Sequence, residues 1–185
     1  MKINFEPVFE MLNNELSKIN QPLELICVGG YVMQMLGHRA TVDVDAFFES
    51  NTAIDEIICK VGDAFRINRP DELWLNNSVW NKNPKPPTSH CELVYKYPFL
   101  TVIKVNVPYL IGMKLESGRE QDLMDVATIL ASDKNENPLA LLTKLVDMGF
   151  DIDISVLLET YGQAYDMDWL MKFYINNEER LRKLF

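Results

Sequence analysis

Residues 25–49 read LICVGGYVMQMLGHRATVDVDAFFE. An apolar run over 25–28 stops at Gly29-Gly30, a helical segment over 31–36 follows, and Gly37 closes it. A β-rich run over 41–48 then carries Asp43 and Asp45. The pattern predicts strand, glycine turn, short helix, strand. In a strand, side chains at i and i+2 share a side, so Asp43 and Asp45 are expected to project together while Val42 and Val44 face the other way. Two adjacent carboxylates suit Mg²⁺, which keeps waters and bridges to substrate phosphates. The glycine pair lets backbone approach a ligand, and the helix after it aims free N–H groups at an anion. The expectation is a triphosphate at Gly30 with a metal beside it on the aspartates.

Gly29-Gly30, twelve intervening residues and Asp43-Val44-Asp45 resemble the signature of DNA polymerase beta-like nucleotidyltransferases. The run Arg39-Ala40-Thr41-Val42-Asp43-Val44-Asp45 also resembles the R-x-T-x-D-x-D of small bacterial members. The resemblance implies an α/β (α+β) fold, a small mixed sheet with helices. It implies Mg²⁺ or Mn²⁺ on Asp43 and Asp45, and nucleotide contacts from Gly29, Gly30, Arg39 and Thr41.

A second stretch, residues 108–125, reads PYLIGMKLESGREQDLMD. Pro108 is expected to open a helix and Gly118 to close it, with a second helix over 120–131. Asp122 and Asp125 are three apart and so share a helical face. Met113-Lys114-Leu115, the Gly118-Arg119 spacer and Gln121-Asp122-Leu123-Met124-Asp125 are similar to the second motif of AbiEii-type toxins and related bacterial nucleotidyltransferases. That resemblance implies that Lys114 contacts nucleotide phosphate and that Asp122 holds or orients it. Asp125 is expected to partner Arg119 or Lys114. An AbiEii-type role further implies a toxin with an inhibitory partner protein.

The rest of the chain frames these motifs. Residues 6–19 predict an amphipathic helix with Phe5, Val8, Phe9, Leu12, Leu16 and Ile19 inward. Residues 53–65 predict another, with Thr52 and Asp55 as its starting box. Residues 69–89, rich in Asn, Pro and Trp, read as a loop extended over 84–87, either a lid or acceptor-binding loop carrying Lys82 and Lys85 or a solvated connection with Trp74 and Trp80 pinned to the core. Strands are expected over 91–97 and 100–105. The nucleotidyltransferase resemblance implies a third carboxylate on a strand neighbouring Asp43 and Asp45, for which Glu92 in the first of these strands is the candidate; the alternative is an ordinary exposed strand residue. Residues 137–185 are helical by pattern, with Leu139, Leu142, Leu145 and Val146 forming one apolar face. Asp151 and Asp153 repeat D-x-D but stand at a helix start, where capping explains them. The expected division is a nucleotidyltransferase core over 1–133 and a helical region over 134–185.

The 185 residues are 48% hydrophobic and 24% charged, ordinary globular values. No apolar run approaches a membrane span and the first residues show no signal-peptide pattern, so no membrane partner is expected. Cys27, Cys59 and Cys91 are odd in number and widely spaced, as reduced thiols of a cytoplasmic protein would be. His38 and His90 lack a partner at zinc-ligand spacing. The net charge is −9, with seven Lys or Arg against four acids over residues 60–104 and six acids with no Lys or Arg over 147–168. A broad nucleic-acid-binding face is excluded by that balance. The acceptor of transfer is expected to be an RNA end, a protein or a small cationic molecule such as an aminoglycoside.

Overall fold

A computed structural model of the chain describes residues 2–81, 83–133 and 137–182. Lys82 lies outside them. The fold is α+β, with two compact units that divide between Asn106 and Val107.

The first unit holds a five-stranded mixed sheet in the order β3-β2-β1-β5-β4. These strands are β1 (Leu23–Cys27), β2 (Val44–Phe47), β3 (Leu75–Asn76), β4 (Cys91–Lys96) and β5 (Leu100–Val105). β1 is central, antiparallel to β2 and parallel to β5. β3 runs parallel to β2, and β4 antiparallel to β5. One sheet face, with Leu25, Cys27, Val44, Ala46 and Val102, packs on the apolar stripes of α1 (Glu6–Lys18) and α3 (Thr52–Phe65). Phe9, Leu12 and Leu16 supply the α1 stripe, and Ile54, Ile58 and Val61 that of α3. Burial of such side chains stabilises by about 1.5–3 kcal/mol each. Ile19, expected inward, is instead the exposed C-cap of α1, because the helix ends one residue before it.

Local chemistry shifts several expected boundaries. α2 spans Gly29–Met35, so the glycine pair forms its first turn and does not precede it. β2 starts at Val44, because the Thr41 backbone N–H donates to the Gln34 side-chain oxygen at 3.0 Å and so makes no strand ladder there. The cap of α3 is Asn51, whose side chain accepts from Ile54 N at 3.1 Å; Thr52 is already helical. The expected loop over 69–89 contains β3, two residues too short for an alternation to show. Within the same stretch Trp74 is 1% exposed and donates from Nε1 to the Ile58 carbonyl at 2.9 Å. Trp80, 39% exposed, has its ring against that of Phe47, 5.9 Å between centroids.

The second unit is helical: α4 (Val107–Ser117), α5 (Glu120–Ser132), α6 (Pro138–Asp147), α7 (Ile154–Ala164) and α8 (Met167–Leu181). The division therefore falls ahead of the expected boundary at 133, since α4 packs with α5 and α6, and α5 packs with α7. Asp153 caps α7 through Ser155 N at 2.8 Å, as its position implied. The α6 face differs from expectation: Pro138, Leu141 and Leu145 are buried and Val146 is exposed. Among the described residues no helix is long and apolar enough to cross a membrane.

Candidate nucleotide site and lysine cluster

Two groups of predicted residues converge, one in each unit. In the first unit, Gly29 lies at φ +58°, and a Cβ there would meet Asp45 Oδ2 at 3.1 Å. A Cβ at Gly30 would meet Thr41 Oγ1 at 2.8 Å and Arg39 Nη1 at 3.6 Å. The Thr41 hydroxyl donates to Asp43 Oδ1 at 2.7 Å. Gly29, Gly30, Arg39, Thr41, Asp43 and Asp45 thus line one place, with backbone where any other residue would carry a side chain. Gln34, which sequence reasoning passed over, anchors it: its Oε1 accepts from Thr41 N and its Nε2 donates to the Ile3 carbonyl at 2.8 Å.

Sheet alternation fixes which face Asp45 uses. Ala46 pairs with Cys27 and belongs to the helix-covered face, so Asp45 points to the opposite one together with Phe47 and Ile26. Asp43 stands in the bend just before β2. Its Oδ2 is 3.8 Å from Nη1 of Arg69, which also pairs with Glu72 at 2.9 Å. Arg69 is a second cation at the site that spacing could not reveal, because it arrives from a loop 26 residues after Asp43. Burial, and then the Asp45 charge, push the Cys27 thiol up, so it stays protonated and is no nucleophile.

Glu92 is not brought to this pair. It is in register with Lys104, Lys104 with Cys27 and Cys27 with Ala46, so its side chain projects to the face opposite Asp45. Three strand steps of about 4.8 Å separate β4 from β2. The Glu92 side chain is 55% exposed and pairs with Lys104. The misplacement was invisible in sequence because one residue of register decides the face. Among the described residues no three His, Cys, Asp or Glu side chains gather into a metal-binding group. Two carboxylates alone nonetheless fit Mg²⁺, which is commonly held by one or two carboxylates with substrate phosphates and water filling the rest.

In the second unit, Lys114 is 4% exposed, and its Nζ pairs with Asp122 at 2.6 Å and Asp125 at 2.7 Å. Arg119 Nε lies 2.6 Å from the other Asp122 oxygen, which also accepts from Ser117 Oγ. Gln121 Nε2 donates to Asp125 Oδ1 at 3.2 Å. Burial raises the Asp122 carboxyl, but hydrogen bonds from Lys114 and Ser117, the Lys114 charge and the Arg119 bond outweigh it and hold the group below the usual range. Asp122 therefore does hold Lys114, and Asp125 is its second partner. Among the described residues, two of the three ammonium donors are engaged by carboxylates, leaving one for another acceptor.

No family model, curated protein or solved structure matches this chain. Its chemistry is argued from these two clusters and from the motifs that carry them.

Proposed function

We propose that the protein is a metal-dependent nucleotidyltransferase, moving a nucleoside monophosphate from a nucleoside triphosphate to an acceptor hydroxyl. The observation that carries this reading is the meeting of Gly29-Gly30 with Thr41, Asp43 and Asp45 in one unit. The acceptor oxygen bonds to the α-phosphorus, the bond to the bridging oxygen breaks, and pyrophosphate leaves with that electron pair while the hydroxyl proton is released. Asp43 and Asp45 would hold Mg²⁺, whose charge would offset that of the triphosphate. Gly29 and Gly30 admit phosphate close to backbone, and Arg39 and Arg69 supply positive charge. Thr41 fixes the rotamer of Asp43 through its hydroxyl. Within the helical unit, the motif of Lys114 implies a phosphate contact of its own, for which the ammonium keeps one donor beyond Asp122 and Asp125.

The acceptor is an RNA end, a protein or a small cationic molecule. The three free thiols support a reducing, cytoplasmic setting. A toxin role, checked by an inhibitory partner, rests on the second motif. It predicts growth arrest when the chain is expressed alone, relieved in Asp43→Ala. Normal growth at high expression would remove that role. A second reading, nucleotide binding without transfer, is favoured by the position of Glu92 and by the lack of any three-carboxylate group among the described residues.

Calorimetric titration of Mg²⁺ with nucleotide, paired with turnover, tests the site. Asp43→Asn and Asp45→Asn are expected to keep the fold and to lower turnover by more than about a hundredfold. Wild-type binding and turnover in either variant would remove the site. Wild-type binding that depends on both aspartates, with no turnover on any acceptor, would favour the second reading.

A further inference from the structure

Asn76 ends β3, in register with Asp45 on β2. Paired residues of neighbouring strands send their side chains to the same face, about 4.8 Å apart. Asp45 thus has Gly29 on its β1 flank and Asn76 on its β3 flank. The Asn76 amide is oriented: Oδ1 accepts from Ser78 N at 3.2 Å and from Ser78 Oγ at 2.7 Å. A backbone N–H can only donate, so the carbonyl end of the amide faces Ser78 and the NH₂ end faces away. Nδ2 is buried and has no hydrogen-bond partner among the described residues. Buried donors in native proteins are nearly always satisfied, by protein, ordered water or ligand, and an orphan beside Asp45 is one that a ligand oxygen can satisfy. An amide nitrogen neither ligates Mg²⁺ nor takes a proton; it donates to an anionic oxygen.

We propose that Asn76 is a nucleotide-binding residue, its Nδ2 donating to a phosphate oxygen of a nucleoside triphosphate held at Asp45. This rests on the nucleotide-site reading of Gly29, Gly30, Asp43 and Asp45, and extends it to β3. The amide also keeps that flank of the pair neutral, where a carboxylate would add a third negative charge against the incoming triphosphate.

The test is equilibrium binding of ATP, CTP, GTP and UTP, each with Mg²⁺, to the full chain by calorimetry, with thermal melting as the check on folding. The proteins compared are wild type, Asn76→Ala, Asn76→Asp and Asp45→Asn. Asn76→Ala is expected to weaken binding of the preferred nucleotide about tenfold, the scale of one hydrogen bond to a charged group. Asn76→Asp, nearly the same shape, is expected to weaken it further, and more for the triphosphate than for the matching monophosphate. If Asn76→Ala does not fold, Asn76→Asp carries the comparison alone. Wild-type affinity in both Asn76 variants, with binding lost in Asp45→Asn, would overturn the assignment while leaving the nucleotide site in place. Absence of binding in the wild type would instead overturn the nucleotide site itself, and the role of Asn76 with it.

Discussion

A methyl group at Gly30 would sit 2.8 Å from Thr41 Oγ1 and 3.2 Å from Thr41 Cβ, so the threonine would have to move and release Asp43. Gly30→Ala is therefore expected to weaken Mg²⁺-nucleotide binding by about tenfold while changing the melting temperature little, the loss being that of a hydrogen bond to a charged group. Gly29→Ala differs, because its φ of +58° disfavours any Cβ and Asp45 Oδ2 stands 3.1 Å away. It is expected to cost about 1–2 kcal/mol of stability in a denaturant titration, in addition to weakening the site. Both positions were legible as glycines that allow close approach, whereas the strand alternation expected to align Asp43 with Asp45 does not hold, because Asp43 stands in the bend ahead of β2 and is held there by Thr41. Glu92 was not legible, because facing depends on a register chain through β5 and β1. Arg69 and Asn76 were hidden for a related reason: they reach the site through β3 and its loop, where the sequence has no periodicity.

Helices show the same contrast between pattern and context. α1 and α3 were legible from amphipathic spacing, with errors confined to the α3 cap and the single inward position Ile19. The apolar face of α6 shifted because Leu141 and Leu145, four apart, turn toward α4 and α7 and carry Val146 outward. Between α4 and α5 the decisive contact is ionic. Lys114→Met would leave Asp122 and Asp125 buried without their shared cation, a change expected to cost about 3–5 kcal/mol. Hydrogen exchange of α4 and α5 amides should register it; unchanged protection would show that the cluster does not tie these helices together. The same cluster sets a pH dependence. Asp122 is held below the ordinary aspartate value of 3.8, so its contribution is fully present above that value and is lost as pH falls through the lower folded one. Acid titration of α4 and α5 protection should thus steepen below about pH 4, and Asp122→Asn should flatten that step.

At the scale of the chain, the charge of −9 decides against a broad contact with nucleic acid, and so bears on the acceptor of the proposed transfer. The sheet unit carries the excess of cations over residues 60–104, and the helical unit the acidic run over 147–168. A small cationic acceptor or a protein would tolerate that balance at physiological salt. An RNA acceptor would require binding through the sheet unit and should lose affinity steeply as salt rises. The α+β class was legible from the alternation of patterns, whereas the division after Asn106 was not: α4 and α5 follow the sheet directly in sequence yet pack with the later helices. The most direct measurement of the central claim is transfer itself. Purified protein is incubated with each α-phosphate-labelled nucleoside triphosphate and Mg²⁺, together with cellular RNA, protein or small-molecule extract, and the destination of the label is followed. The account predicts label on one acceptor class, pyrophosphate released in equal amount, and both abolished in Asp45→Asn. No label on any acceptor with any of the four nucleotides, or label that persists in Asp45→Asn, would contradict it.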